Sequence, residues 1–393
     1  MDEPVTTTGL VLTGGGARAA YQVGVLKAVA QIRRESVAPA GNPFPVITGT
    51  SAGAINAAVL ACRAADFDLG VRALADVWEN FHAEQVYRSD SIGVIRTGAR
   101  WRRARPRSLL DNRPAALLLQ RMVSTERLRE AMQQGHLQAV AVTASSYGSG
   151  LHVTFYDAVQ DIVPWTRSQR IAVRAAIDVP HLMASSAIPF VFPAVPLTID
   201  GRIEHFGDGS MRQAAPISPA VHLGATRILV VGAGRMHEPP GERVGSSEYP
   251  NLAQIAGHAL SNIFLDALAV DVERLQRINA TLKLLTPEQR VKTSLRPIEV
   301  LVIAPSQRLD DIAAKHLGSL PLSIRAMLRG FGVSGRGEDA RGAALASYLL
   351  FEAAYTRELV ALGVADTLAR RDEVVAFFRW GQHSHAPAGA VAA

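Results

Sequence analysis

Hydrophobic positions near the start of the chain alternate between short β-branched runs and segments with helical character. Apolar runs at residues 8–12 and 46–48 each lead into a glycine-rich turn, as buried strands of an α/β protein do. Residues 21–32 then carry apolar side chains at helical spacing, and residues 54–65 form an alanine-rich segment with helical propensity. The pattern predicts two units of strand, turn and helix at the start of an α/β domain.

The middle of the chain continues this alternation more coarsely. Helices are predicted over residues 69–81, 124–134 and 168–177, and strands over residues 138–144, 152–156 and 227–232. A short strand pair is predicted around residues 197–206. Residues 184–195 are small, apolar and interrupted by prolines, which is typical of a loop that covers a core or lines a pocket.

The chain changes character after residue 236. A polar loop rich in proline and glycine is followed by a predicted long helix at 252–285, a strand at 298–304, and helices at 340–362 and 364–380. We therefore divide the chain into a core of residues 1–236, a mainly helical extension of residues 237–382, and a tail of residues 383–393 predicted to be disordered. For the extension, an active-site cap, a membrane contact and an oligomer interface all remain open.

Length and composition narrow the class of protein. With 393 residues, 48% of them hydrophobic, the chain can bury a large core and is not intrinsically disordered. No run of about eighteen or more apolar residues is present, and Asp2 and Glu3 are acidic where a signal peptide would be basic. The lone Cys62 cannot form an internal disulfide, so we expect a cytoplasmic protein.

Basic residues are concentrated in one segment. The formal net charge is +6, and six arginines lie between residues 96 and 107 without an acidic residue. Arg100, Arg102 and Arg103 surround Trp101, and a cationic segment with a tryptophan suits the surface of an anionic membrane; a solvated loop without a partner is the alternative. Nucleic-acid phosphate would suit the same charge, but the chain has no zinc-finger spacing, helix-turn-helix signature or aromatic RNA-binding motif. We therefore expect no nucleic-acid partner.

The second turn reads Gly49-Thr50-Ser51-Ala52-Gly53 and places a serine between a strand and a helix. A nucleophile elbow needs this context, because its serine adopts a strained backbone conformation and small residues must lie two positions away on either side. Gly49 and Gly53 meet that need. The following helix directs its N-terminal amides towards an oxyanion formed beside Ser51. Ser51 is therefore a candidate nucleophile, with an ordinary glycine-rich turn as the alternative.

The first turn runs from Gly14 through Gly15 and Gly16 to Arg18 and fits two chemistries. It matches a dinucleotide-binding pattern, but the acidic residue expected at the end of the second strand is missing. Considered beside Ser51, the three glycines expose successive backbone N–H groups as an oxyanion hole. For Arg18, charge stabilisation, a role in steadying the loop and a local surface salt bridge are all open.

A catalytic base for Ser51 has to come from another part of the chain. The histidines lie in no recognisable motif, whereas Asp208 lies between Gly207 and Gly209 next to the apolar loop. A desolvated carboxylate has a raised pKa and can accept a serine proton directly. Asp208 is therefore the candidate base. A Ser-Asp-His triad with His237 or His258 is the alternative.

Four ordered segments resemble motifs of the patatin-like phospholipases: residues 14–18, 49–53, 184–189 and 208–210. The resemblance extends over roughly residues 8–232 and implies a three-layer α/β/α fold with a central, mostly parallel sheet. It implies a lipid acyl hydrolase with Ser51 as nucleophile, Asp208 as base and the loop from Gly14 to Arg18 as oxyanion hole. It also implies that no cofactor, metal or calcium ion is required.

Three positions depart from the pattern of that family. Ala19 replaces a usual glycine, Ser210 replaces a glycine or alanine, and Gln213 begins a segment that replaces Asn-x-Pro. Our hypothesis is a phospholipase A or lysophospholipase that acts on a lipid or acyl-ester substrate. An acyl-CoA thioesterase or transacylase on the same fold, and a non-catalytic lipid-binding protein, are the alternatives. The sequence leaves the oligomeric state open.

Overall fold

The structure is a computed structural model that describes residues 6–88, 108–236, 249–333 and 342–381, without the side chains of residues 263–266. Arg100, Trp101, Arg102 and Arg103, predicted to contact a membrane, lie outside these ranges. The predicted disordered tail lies outside them too.

A ten-stranded mixed sheet forms the centre of the described chain. Its strands are β1 (Thr8–Leu12), β2 (Val46–Thr50), β3 (Ala139–Ser146), β4 (His152–Ala158), β5 (Thr166–Arg167), β6 (Arg170–Arg174), β7 (Val195–Ile199), β8 (Arg202–Asp208), β9 (Arg227–Val231) and β10 (Glu299–Ile303). The order is β10-β9-β1-β2-β3-β4-β6-β5, and β8 pairs with both β3 and β7.

From β10 to β3 in this order, each strand pairs in parallel with the next, whereas β3 and β4 are antiparallel. The ends of β1 and β2 are adjacent, with Leu12 opposite Gly49. On the other side of β2, β3 pairs antiparallel with β8, so that Ala144 lies opposite Asp208. This topology brings the two predicted glycine-rich turns and Asp208 to the same edge of the sheet.

The helices cover both faces of the sheet. They are α1 (Ala20–Arg34), α2 (Ala52–Ala61), α3 (Phe67–Trp78), α4 (Arg113–Met122), α5 (Thr125–Gln133), α6 (Val179–Ser185), α7 (Ser218–His222), α8 (Leu252–Leu284), α9 (Pro287–Val291), α10 (Leu309–His316), α11 (Leu322–Gly330), α12 (Ala343–Ser347), α13 (Ala353–Ala369) and α14 (Arg371–Phe378). The predicted α/β/α fold with a mostly parallel sheet and a helical C-terminal part is confirmed.

Alternate side chains of the strands contribute to two hydrophobic clusters. Leu10 and Leu12 of β1 belong to the larger one, together with residues of α1, α2 and α13. Val11 lies on the opposite face and joins the smaller cluster with residues of α7 and α8. This alternation is the two-residue period expected of a strand that is buried on both faces.

The C-terminal extension packs directly on the core. It supplies the predicted strand as β10, which pairs in parallel with β9. The Tyr87 hydroxyl donates to the Leu349 carbonyl at 2.8 Å, and the Tyr21 hydroxyl donates to the Asp366 carboxylate at 3.0 Å. The extension therefore completes both the sheet and the helical layer around α1.

Two predicted helices differ from the structure. Residues 168–177 contain strand β6 instead of a helix, because Ile171 and Val173 fit a parallel ladder with β4 and Gln169 adopts a positive φ of 58° at the preceding turn. The predicted helix at 340–362 is interrupted between α12 and α13. The break predicted between residues 362 and 364 is absent, and α13 is instead separated from α14 at Arg370. The segment between α12 and α13 includes Tyr348, which contacts the first glycine-rich turn.

Helix α8 is long and apolar enough, by length and composition, to cross a membrane. Long core helices of soluble proteins meet the same criteria, so one such helix does not establish a membrane span.

Candidate active site

Ser51 occupies a strained turn between β2 and α2. Its φ of 56° and ψ of −130° lie in a region that non-glycine residues rarely adopt, and such strain costs of order 1–3 kcal/mol. A Cβ at Gly49 would lie 2.4 Å from the Gly53 carbonyl oxygen, and one at Gly53 would lie 2.3 Å from the Leu12 carbonyl oxygen. Both flanking glycines are therefore required by close backbone contacts, as the elbow geometry predicts.

Asp208 lies within hydrogen-bond distance of Ser51. The Ser51 hydroxyl donates to Oδ2 of Asp208 at 2.5 Å, and the Ser210 backbone N–H donates to Oδ1 at 2.9 Å. Ser51 is 1% exposed and Asp208 is fully buried. The two groups thus form a hydrogen-bonded serine and carboxylate pair that is shielded from bulk water.

Burial raises the pKa of the Asp208 carboxyl from 3.8 to about 6, although hydrogen bonds from Ser51 and Ser210 lower it. A carboxylate with a pKa near 6 is ionised at neutral pH and is a stronger base than an exposed aspartate. The departure from the family pattern at Ser210 leaves the amide contact with Asp208 in place.

The backbone of this pair is held by residues to which the sequence analysis gave no role, although Ser185 and Ala187 lie in the motif at residues 184–189. The Ser51 N–H donates to the Ser185 hydroxyl at 2.9 Å, and the Asp208 N–H donates to the Ala187 carbonyl at 3.0 Å. The Gln213 amide donates to the Thr50 hydroxyl at 2.8 Å. Gln213, a position where the sequence departs from its family, thus links the segment after Asp208 to the residue before Ser51.

The predicted oxyanion loop lies at the end of β1. No acceptor within the described ranges bonds the backbone N–H groups of Gly14, Gly15 or Gly16. The next N–H, at Ala17, donates to the Tyr348 carbonyl at 3.1 Å. The three glycines therefore have amides free to bind an anion, whereas Ala17 anchors the loop.

Arg18 binds the C-terminal extension. Its guanidinium is buried, forms an ion pair with Asp310, donates from Nε to the Ser347 hydroxyl at 2.8 Å and lies 4.0 Å from the centre of the Tyr348 ring. Its backbone N–H donates to Gly15. Of the roles open for Arg18, these contacts match that of steadying the loop.

A chain of buried polar side chains also supports the glycine loop. The Gln22 amide donates to the Thr13 carbonyl at 2.7 Å, the Asn56 amide donates to Gln22 at 3.0 Å, and the Trp78 indole donates to Asn56 at 2.8 Å. This chain connects α1, α2 and α3 to the residue before Gly14, so the loop rests on a satisfied polar network.

Ser51, Asp208, both elbow glycines and the glycine loop thus meet at one sheet edge. No histidine in the described ranges forms a hydrogen bond with Ser51 or Asp208, and His258 is exposed on α8. His237 falls outside those ranges. The described residues contain no cluster of three or more histidine, cysteine, aspartate or glutamate side chains arranged to hold a metal ion.

This α/β fold carries a serine elbow and a buried carboxylate at one sheet edge. The combination can be compared with known protein families. The family model of the patatin-like phospholipases matches residues 10–221, which is more than half of the 393-residue chain. The chain belongs to the patatin-like phospholipase family. Membership implies lipid hydrolase activity. A comparison with curated proteins gives no significant match.

Solved structures similar to this chain include phospholipases. Human GIVD cytosolic phospholipase A2 is 12% identical with a TM-score of 0.46, and the alignment covers 95% of this chain and 60% of that one. VipD from Legionella pneumophila is also 12% identical with a TM-score of 0.34, and the alignment covers 94% of this chain and 67% of that one. The chain therefore spans about two thirds or less of the length of either structure.

Proposed function

We propose that this protein is a serine lipid acyl hydrolase, of the phospholipase A or lysophospholipase type, that uses Ser51 and Asp208 as a catalytic dyad. The observation that carries the proposal is the 2.5 Å hydrogen bond from the Ser51 hydroxyl to a fully buried Asp208. Family membership supports the lipid substrate class.

Acylation begins when Ser51 Oγ attacks the ester carbonyl and its proton moves to Oδ2 of Asp208. The N–H groups of Gly14, Gly15 and Gly16 bind the oxyanion of the tetrahedral intermediate. When the intermediate collapses, the carbon–oxygen ester bond breaks and the protonated Asp208 returns its proton to the leaving alcohol. The fatty acyl group is then bonded to Ser51.

Deacylation repeats these steps with water. Asp208 accepts a proton from the water that attacks the acyl-enzyme, and the second tetrahedral intermediate uses the same amides. Its collapse releases the fatty acid and returns the proton from Asp208 to Ser51 Oγ. The enzyme neither gains nor loses a proton over the cycle. Ser51 and Asp208 are therefore sufficient for all of its proton transfers.

Hydrolysis of p-nitrophenyl butyrate by wild type, Ser51→Ala and Asp208→Asn tests this assignment. We expect both variants to lose activity by about a thousandfold or more, with unchanged circular dichroism. Retained hydrolysis by pure Ser51→Ala would overturn the proposal. Loss with Ser51→Ala alone would remove Asp208 from the mechanism. Fatty acid release from phospholipid vesicles, followed by mass spectrometry, then tests the substrate class.

We further propose that the basic segment around Trp101 brings the enzyme to anionic membranes, as its arginine content suggests. Replacing Arg100, Arg102 and Arg103 by glutamate should reduce sedimentation with phosphatidylserine vesicles without changing p-nitrophenyl butyrate hydrolysis. The exposed arginines 121, 127 and 129 provide a matched triple replacement. Equal effects of the two triples would contradict a specific role for the segment.

A further inference from the structure

The end of α6 contacts the backbone of both Ser51 and Asp208. Ser185, the last residue of the helix, accepts the Ser51 N–H through its hydroxyl at 2.9 Å. Two residues later, the Ala187 carbonyl accepts the Asp208 N–H at 3.0 Å. One short segment therefore bonds to the two halves of the dyad, which are 157 positions apart in the sequence.

The Ser51 N–H has particular need of this acceptor. Ser51 follows the last residue of β2, so its N–H has no partner in the sheet, and its positive φ departs from the strand conformation. Within the described ranges the Ser185 hydroxyl is the one acceptor that this N–H has. Ser185 itself is fully buried, so water cannot readily replace it.

We propose that Ser185 is a positioning residue for hydrolysis: its hydroxyl fixes the backbone of Ser51 so that Ser51 Oγ stays aligned with Asp208. The inference rests on the proposed function of the dyad. Because Ser185 and Ala187 belong to the same segment, that segment sets the separation of the two catalytic groups. A displacement of the order of 1 Å is enough to lower the rate about a hundredfold.

Helix α6 has anchors of its own that make it a fixed support. The Asp178 side chain accepts the His181 N–H at its start, and the Thr125 hydroxyl donates to the Ile177 carbonyl at 3.2 Å. At its end, the Ser186 hydroxyl donates to the Leu182 carbonyl at 2.8 Å, within the helix. Ser186 therefore supplies a matched control, since its hydroxyl has no hydrogen bond to Ser51 or Asp208.

The experiment compares Ser185→Ala with Ser186→Ala in p-nitrophenyl butyrate hydrolysis and in the rate of labelling by a fluorophosphonate. We expect Ser185→Ala to lower kcat and the labelling rate about ten- to a hundredfold, with KM within about twofold of wild type. Ser186→Ala should keep kcat within about twofold. Both rates are expressed per folded molecule, determined by circular dichroism, so that a loss of stability alone does not change them.

Ser185→Cys separates the hydrogen bond from the filling of space, and it provides a second test if the alanine variant does not fold. Sulfur is larger than oxygen and keeps the position filled, but it is a weak acceptor, so we expect kcat to fall as in Ser185→Ala. Full activity of either Ser185 variant, or an equal loss in Ser186→Ala, would overturn the inference. Ser51→Ala is measured in parallel: if that variant still hydrolyses the ester, the proposed function has failed instead.

Discussion

Ser51 and the Gly14–Gly16 loop lie at the ends of adjacent parallel strands, but different parts of the chain support them. The nucleophile side, which consists of Ser51 and Asp208, is held by Ser185 and Ala187 at the end of α6. The oxyanion side, residues 14–18, is held by the C-terminal extension. Its contacts there are Asp310, Ser347 and Tyr348.

The two supports also differ in chemistry. The nucleophile side depends on neutral hydrogen bonds and places an unpaired carboxylate in the interior, which is costly for folding. The oxyanion side is held by a buried arginine that has an acidic partner, a hydroxyl acceptor and an aromatic ring. The buried carboxylate thus makes the nucleophile side more reactive but less stable, whereas the oxyanion side is stabilised by its contacts.

The family match ends at residue 221, before any of the three residues that hold the oxyanion side. The extension is therefore more than an attachment to the core, since its residues fix a loop of the candidate site. Variants on the oxyanion side should lower activity even though the substituted residues touch neither Ser51 nor Asp208.

The largest effect on the oxyanion side is expected from Gly16→Ala. A Cβ at Gly16 would lie 2.4 Å from the Tyr348 carbonyl oxygen, and its φ of 54° disfavours a side chain. Since neither backbone can yield without moving the loop, we expect kcat for p-nitrophenyl butyrate to fall by about a hundredfold or more. Steady-state kinetics with the purified variant measure this.

Gly41→Ala is the matched control for backbone strain. Gly41 also has a positive φ, of 94°, but nothing lies within 4 Å of its added Cβ. We expect that variant to lose about 1 kcal/mol of stability and no activity. Equal kinetic losses at the two positions would show that the contact with Tyr348 is not what matters.

A smaller loss is expected from Arg18→Ala. It removes the ion pair with Asp310 and the bond to Ser347, so the loop keeps its glycines but loses its anchor. We expect kcat to fall about tenfold and stability to fall by about 3 kcal/mol, the range for breaking a buried pair. Kinetics and urea unfolding test both parts.

Lys27→Ala is a suitable comparison, because Lys27 lies on the neighbouring helix α1 and pairs with Glu79 in a partly exposed position. Its removal should change stability by less than about 1 kcal/mol and leave kcat unchanged. If Arg18→Ala behaved the same way, the C-terminal extension would not be needed to hold the loop.

The nucleophile side was the more predictable of the two because its signals are local. Gly49, Ser51 and Gly53 encode the elbow within five residues, and the structure shows the close contacts that make the glycines necessary. Asp208 is predictable as the base from its flanking glycines and from the resemblance to the patatin-like phospholipases. The fold could be predicted for the same reason, since each early strand is adjacent in sequence to its turn and helix.

Ser185 and Ala187 lie in the motif at residues 184–189, but the contacts of the supports could not be predicted. Backbone acceptors carry no residue-specific signal, and the side-chain partners are far apart in the sequence. The Tyr348 carbonyl and the Ala187 carbonyl are backbone groups, which every residue has. Ser185 is separated from Ser51 by 134 positions, and Ser347 from Arg18 by 329. The helix predicted at 168–177 was wrong for another reason. The apolar spacing of this segment fits a helix, and only its pairing with β4 shows that it is a strand.

The pH dependence of hydrolysis tests the nucleophile side without a mutation. Asp208 must be ionised to accept the Ser51 proton, and burial raises its pKa to about 6. We expect kcat/KM to be constant above about pH 7 and to fall tenfold per pH unit well below 6. A pH series on p-nitrophenyl butyrate measures the midpoint. A midpoint near 4 would mean that Asp208 is solvated in the working enzyme.

An effect of opposite sign to that at Arg18 is expected from Asp208→Asn on stability. Because the folded pKa of about 6 exceeds the ordinary 3.8, the native state binds this proton more tightly than the unfolded chain does. The penalty of the ionised carboxylate is therefore full above pH 6 and fades as the pH falls towards 3.8. About two pKa units at 1.4 kcal/mol each give an upper limit near 3 kcal/mol.

Asp208→Asn should thus stabilise the protein by up to about 3 kcal/mol at pH 8 and by less at pH 5, as measured by urea unfolding. Asp200→Asn, at an exposed turn between β7 and β8, should have little effect at either pH. A destabilised Asp208→Asn at pH 8 would show that the hydrogen bonds from Ser51 and Ser210 outweigh burial. The nucleophile side would then resemble the oxyanion side, with both stabilised by the contacts that arrange them.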